Sequence, residues 1–181
     1  MRRRNLRPRR HLVAVGASVA AAVFVATVAS QVTASEVQFG NASLCHGPDG
    51  SGFGGKARQM SGGYIISGSL TSAMALVCPF VGINPTLWHG NATSLVVFGR
   101  DDVTTAQAGA QACVTLETSN GGACGAQWTS GGSFHGEFEG WPSLSAWQAH
   151  AHDGYPYIYV VLPQSGTTGS SFRGYKVIKN P

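Results

Sequence analysis

The sequence predicts an all-β domain, a single antiparallel β-sandwich of jelly-roll or immunoglobulin-like type with six to eight short strands, preceded by an export signal. Three observations carry this expectation. Glycine is abundant at 25 residues, while charged residues make up only 11% of the chain, so long Glu/Lys-rich helical stretches are missing. Apolar residues come in runs of strand length, separated by Gly, Asn, Asp and Ser turn signals. Four cysteines, an even number, follow an N-terminal segment laid out like a signal peptide.

That segment carries six arginines before His11 (Arg2, Arg3, Arg4, Arg7, Arg9 and Arg10), then the apolar, Ala/Val-rich stretch Leu12–Ala29. Small residues offer cleavage after Ser30 or Ala34, so residues 1–34 read as the signal and 35–181 as one domain. Arg9-Arg10-His11-Leu12-Val13 fits twin-arginine export as well as the general secretory route. The competing reading is an uncleaved anchor, because Leu12–Ala29 is marginally long enough to span a bilayer. The mature chain has no further candidate span. Export also changes the charge. Of the 12 basic residues, six leave with the signal, and the remaining six face eight acids, so +4 becomes −2. The basic character belongs to the signal, and nucleic-acid binding is not expected.

Taken in order, the mature chain opens with Val37 and Phe39, reaches Cys45 and enters a glycine-rich loop through Gly55. Gly62–Ser67 reads as a short strand feeding Ala73–Phe80, the longest apolar run outside the signal. Its alternation sets Met74, Leu76, Cys78 and Phe80 on one face and Ala73, Ala75 and Val77 on the other. Ala73–Phe80 is expected to be the central strand. Ser94–Arg100 is a further strand, closed by Asp101-Asp102. Ala112–Thr118 and Ala123–Thr129 flank Asn120-Gly121, the strongest hairpin signal present. Ser133–Gly140 alternates like an edge strand, and Trp141–Asp153, with Pro142 near its start, is the one place for a short helix. Tyr155–Leu162 and Ser171–Ile178 complete the set.

Several of these pieces recur together elsewhere. A first cysteine (Cys45), a strand ending Val77-Cys78-Pro79, a later strand ending in aspartate (Val96–Asp101), a strand from Cys113 to Leu116, and the closing segments Tyr159–Pro163 and Tyr175–Val177 are arranged in the same way. In this the chain resembles a loosely defined group of small bacterial secreted β-sandwich proteins. The resemblance implies a disulfide-bonded sandwich and supplies no catalytic residues. In that group a cysteine often stands where Val160 and Val161 stand here.

Four cysteines allow three pairings, of which Cys45–Cys78 with Cys113–Cys124 is the simplest. A two-residue loop at Asn120-Gly121 would instead put Cys124 opposite Glu117, with Cys113 about 13 Å further along the strand. A disulfide needs Cα atoms within about 7 Å. Either the loop is wider or the pairing is not local.

Candidate sites each stand beside a plainer reading. Gly50, Gly52 and Gly55 with Lys56 imitate a phosphate-binding loop, but Ala57 stands where the magnesium-binding hydroxyl belongs. A flexible glycine loop is the better account. His135 and Glu137, with Glu139, share a strand face, and His150 and His152 lie downstream beside Asp153, a set suited to zinc or copper if they converge. Otherwise they are a solvated polar face beside a loop. Tyr155, Tyr157 and Tyr159 alternate onto one face, with Trp141 and Trp147 upstream, a candidate platform for sugar rings or protein contacts. The plainer account is β-propensity, or the tyrosines as core. Nucleophile motifs are absent. The expected protein is therefore a non-catalytic, extracytoplasmic sandwich, structural or interacting with an envelope protein, and without a cofactor. A module for extracellular glycans is the first alternative and a metal-dependent protein the second.

Overall fold

The computed structural model describes residues 35–48, 57–60, 63, 65–67, 72–80, 89–117, 121–132, 135–152, 154–164 and 169–180. The chain divides into the units Met1–Gln31 and Val32–Pro181, and all described residues belong to the second. The signal segment, the glycine loop of residues 50–56, Asn120, Phe134 and Asp153 lie outside the described residues.

Two antiparallel sheets form a β-sandwich. The strands are β1 (Glu36–Asn41), β2 (Ala57–Gln59), β3 (Ile65–Ser67), β4 (Met74–Pro79), β5 (Ser94–Asp101), β6 (Gly109–Leu116), β7 (Gly122–Cys124), β8 (Trp128–Thr129), β9 (Gly136–Gly140), β10 (Gly154–Leu162) and β11 (Ser171–Lys179). The first sheet runs β2-β3-β11-β5-β9, with β1 also paired to β11. The second runs β4-β10-β6-β7, with β8 also paired to β6. The single described α-helix, α1 (Ser145–Ala149), falls where the Pro142 signal expects it and packs against β6 and β7.

Alternation explains which way each strand faces. On β4, Met74, Leu76 and Cys78 are buried while Ala75, Val77 and Pro79 are only half-buried. On β10, Ile158, Val160 and Leu162 are buried beneath a half-exposed opposite face. From the first sheet Leu95, Val97, Phe138, Phe172, Tyr175 and Val177 join the same core. The role expected for Ala73–Phe80 needs correction. β4 is an edge strand, and the central positions of its sheet belong to β10 and β6. Pro79 is the reason, since a residue without an N–H suits an edge rather than the middle of a ladder.

Both disulfides are local, Cys45–Cys78 and Cys113–Cys124, with Cα separations of 4.1 Å. The Asn-Gly expectation also needs correction. Leu116 N–H donates to the Gly121 carbonyl at 3.1 Å, so Gly121 is still part of the pairing and four residues, not two, separate the last bonded positions. That wider loop brings Cys113 directly opposite Cys124. The flanking Gly125 N–H to Ala112 carbonyl bond, 2.9 Å, marks the cysteines as a non-hydrogen-bonded pair, the closer of the two antiparallel pairings. Cys45–Cys78 follows the same rule, flanked by His46 and Val77, which exchange bonds of 3.0 and 2.9 Å.

The sheets are tied to one another by polar as well as apolar contacts. Tyr175 of β11, only 2% exposed, sends its hydroxyl across to donate to the Pro79 carbonyl of β4 at 2.8 Å. Gly40 makes this possible, because a Cβ there would collide with the Tyr175 ring. Asp101, fully buried at the end of β5, accepts from the Val103 and Ala108 N–H groups at 3.1 Å each. It also accepts from the hydroxyls of Ser130 and Ser170. A buried carboxylate needs such partners to remain buried. Those donors fix the loop into β6, the residue after β8 and the residue before β11, which joins one end of both sheets.

The disulfides close loops of unequal length, with sequence separations of 33 and 11. The chain-entropy relation gives about 3.7 kcal/mol for the longer and about 2.8 kcal/mol for the shorter. Cys78→Ser is therefore expected to lower the unfolding free energy by about 3–4 kcal/mol. Cys45→Ser should match it, and the double variant should cost little more than either alone. Additive losses in urea denaturation would contradict the assignment of these two residues to one bridge.

Candidate functional site

The outer face of the second sheet is built in rows by strand register. His46, Val77, Tyr159 and Gln111 stand side by side across the strands. Next come Pro79, Tyr157, Cys113 and Cys124, then Tyr155, Thr115 and Gly122. Because Ile158, Val160 and Leu162 occupy the core side, the three tyrosines face outward. Tyr155 is 65% exposed, and Tyr157 and Tyr159 are half-buried. The tyrosines as core face, one of the plainer readings, does not hold.

Together with Pro48, Val77, Pro79, Thr115 and Pro156, the tyrosines line an open groove of about 440 Å³. That volume lies within the range of small-molecule sites. Successive tyrosines are two residues apart, about 6.8 Å along the strand. No charged side chain is among the lining residues. Burial raises the Tyr157 hydroxyl above its ordinary value, and Tyr159 adds to the shift, so Tyr157 stays a neutral donor and acceptor at physiological pH.

The floor of the groove is held from behind. β4 is fastened to the first sheet at the Pro79 carbonyl, which Tyr175 binds, and along its outer edge at Val77 and Cys78, which meet His46 and Cys45. Tyr157 and Tyr159 lie opposite Pro79 and Val77 of that same segment.

Comparison with family models, with curated proteins and with solved structures finds no match for this chain.

The two tryptophans do not join the tyrosines. Trp147 is fully buried on the inner side of α1, where its Nε1–H donates to the Cys113 carbonyl at 2.8 Å. Its ring packs against Phe80 at 5.2 Å and edge-on to His89 at 6.4 Å. A tryptophan buried with its N–H satisfied is a core residue, and the expectation of a surface role for Trp147 is corrected. Trp141 is 55% exposed but lies on the segment after β9 and is not a lining residue of the groove.

Among the described residues, which leave out Asp153, the metal set does not assemble either. His135 stands just before β9, with its Nε2 3.9 Å from Asp102, which is itself paired to Arg100 at 2.7 Å. Both Glu137 oxygens are taken by Arg173, at 2.7 Å each. His150 and His152 follow α1, and the His150 carbonyl meets His89 Nε2 at 3.0 Å. Among the described residues, no three His, Cys, Asp or Glu side chains are grouped so as to hold a metal ion. The polar face of β9 is an ion-pair surface at the edge of the first sheet. Glu139 shares its outward direction.

His46, Val77, Pro79 and Thr115 were not singled out in the sequence as partners of the tyrosines. Val77 did carry a signal, since it lies on the face of the apolar run opposite the core. Its place beside Tyr159 follows only from register.

Tyr175 gives this site a pH dependence. Burial pushes its hydroxyl up from 10.0 to about 12. A folded-state value above the unfolded one means that the native state holds this proton more tightly. The contribution is complete below about pH 10 and is lost as pH rises toward 12. Denaturation midpoints measured between pH 9 and 12 should therefore fall more steeply for the natural protein than for Tyr175→Phe. Parallel curves would show that Tyr175 is not the group responsible.

Proposed function

We propose that this chain is an exported, non-catalytic binding domain that interacts with a component of the cell envelope or its surroundings through the outer tyrosine face of the second sheet. The single observation that carries the reading is the groove lined by Tyr155, Tyr157 and Tyr159, in which Pro79 is tied to the first sheet through its carbonyl and neighbouring Cys78 is bridged to Cys45. Aromatic side chains left half-exposed on a rigid face mark interaction surfaces, because they offer large contact area at little entropy cost. Two disulfides suggest an oxidising, extracytoplasmic environment. The arginine-rich start and apolar stretch supply the export reading, by the secretory or twin-arginine route. The non-catalytic part rests on the sequence, which carries no nucleophile motif of the common hydrolase types.

Hydroxyl-radical footprinting of the exported protein, alone and with the envelope fraction of the producing cell, tests this directly. Tyr155, Tyr157 and Tyr159 should be protected, while Phe39, 69% exposed on the other sheet, should not. Protection at Phe39 alone, or at neither place, would move or remove the proposed surface.

A further inference from the structure

We infer that the ligand of the tyrosine groove is a neutral glycan chain. This rests on the reading of that face as a binding surface. Charge argues first. The described ion pairs Arg100–Asp102, Arg173–Glu137 and Glu36–Lys179 involve strands of the first sheet or the residue beside them. The groove has none of that chemistry, since its lining is three tyrosines, three prolines, a valine and a threonine. An anionic polymer or a charged peptide would leave its charges uncompensated over this surface and lose hydration without a return.

The shape and polarity of the lining make the same selection. Each tyrosine carries an aromatic ring, against which the C–H side of a pyranose can pack, and a hydroxyl that can donate and accept. Thr115 adds a hydroxyl within the groove, and His46 and Gln111 end the row of Tyr159 with further hydrogen-bonding side chains. Gln111 already donates to the Gly125 carbonyl at 3.2 Å, which orients its side-chain amide. Aromatic rings beside hydroxyls match a ligand that alternates C–H faces with hydroxyls.

Rigidity is the third argument. β10 is paired on both sides, to β4 and to β6, so the three rings rise from a fixed ladder rather than a loop. A preformed row about 14 Å long from Tyr155 to Tyr159 suits a stiff repeating ligand, which loses little freedom on binding.

The test is calorimetric titration of the exported protein, with both disulfides formed, against cellohexaose, chitohexaose and mannohexaose. Hexagalacturonate and an oligoproline decamer serve as the anionic and peptide alternatives. At least one neutral hexasaccharide should bind saturably and more tightly than either alternative. Tyr157→Ala and Tyr159→Ala should each weaken it about tenfold, as the loss of one stacked ring implies. Tyr157→Phe, which keeps the ring, should weaken it far less, and Phe39→Ala on the other sheet should have no effect. A melting temperature measured for each variant, with Tyr159→Leu as a second replacement, separates loss of the ring from loss of the fold. Preference for hexagalacturonate or oligoproline, no saturable neutral ligand, or affinity indifferent to Tyr157 and Tyr159 would each overturn the inference. Footprint protection of the tyrosines without hexasaccharide binding rejects the glycan and keeps the binding face. Absence of both rejects the face itself.

Discussion

The structure depends on how the short edge strand β4 is held. β4 has a full strand on one side only, and Pro79 faces the other side, where its missing N–H leaves no donor for a further strand. Left alone, Met74–Pro79 would open more readily than β10 and β6, which are paired on both sides. Three contacts from elsewhere restrain it: the Cys45–Cys78 bridge, the Tyr175 hydroxyl on the Pro79 carbonyl, and the paired bonds between His46 and Val77. All three fall within residues 77–79. Their effect reaches β10, because Tyr157 and Tyr159 are registered against those same residues. Cross-linking the chain beneath an exposed face is therefore a means of keeping that face in one arrangement.

The two faces of the sandwich have been given different chemistry. Around β5, β9 and β11 the first sheet carries arginines and carboxylates that pair with one another at its surface, interactions that favour solubility more than stability. The second sheet turns aromatic and uncharged side chains outward. Buried polarity is concentrated at Asp101, where two backbone N–H groups and two serine hydroxyls converge on one carboxylate. Removing any partner there would leave a buried donor or acceptor unsatisfied, which is the costly case. Asp101 thus fixes the loops at the ends of both sheets, while the Cys45–Cys78 seam fixes their edge.

Face assignment was legible in the sequence wherever alternation was regular. Ala73–Phe80 and Tyr155–Leu162 bury the residues that a two-residue period selects, and the helix near Trp141–Asp153 and the edge character of Ser133–Gly140 could be read from local composition. Strand neighbours were not legible, because register and order are set by contacts distant in sequence. That is why β4 read as central, why Asn120-Gly121 suggested too tight a loop, and why Val77, Pro79 and Thr115 could not be joined to the tyrosines. Trp147 illustrates a different limit. One turn of helix has too little periodicity to show which side chain points inward, and burial of the ring is decided by Phe80 and Cys113, each more than thirty residues away. The two- and three-residue strands β2, β3, β7 and β8 are shorter than any pattern can specify.

The Cys45–Cys78 seam keeps the tyrosine face in place by holding the strand against which Tyr157 and Tyr159 are registered. Native-state hydrogen exchange on the Cys45→Ser/Cys78→Ser double variant tests it most directly, residue by residue. Amides of Met74–Pro79 and their partners on β10 should lose protection well before the β5–β11 ladder does. Equal loss across both sheets, or unchanged protection in β4, would contradict the claim that this bridge holds the edge on which the groove is built.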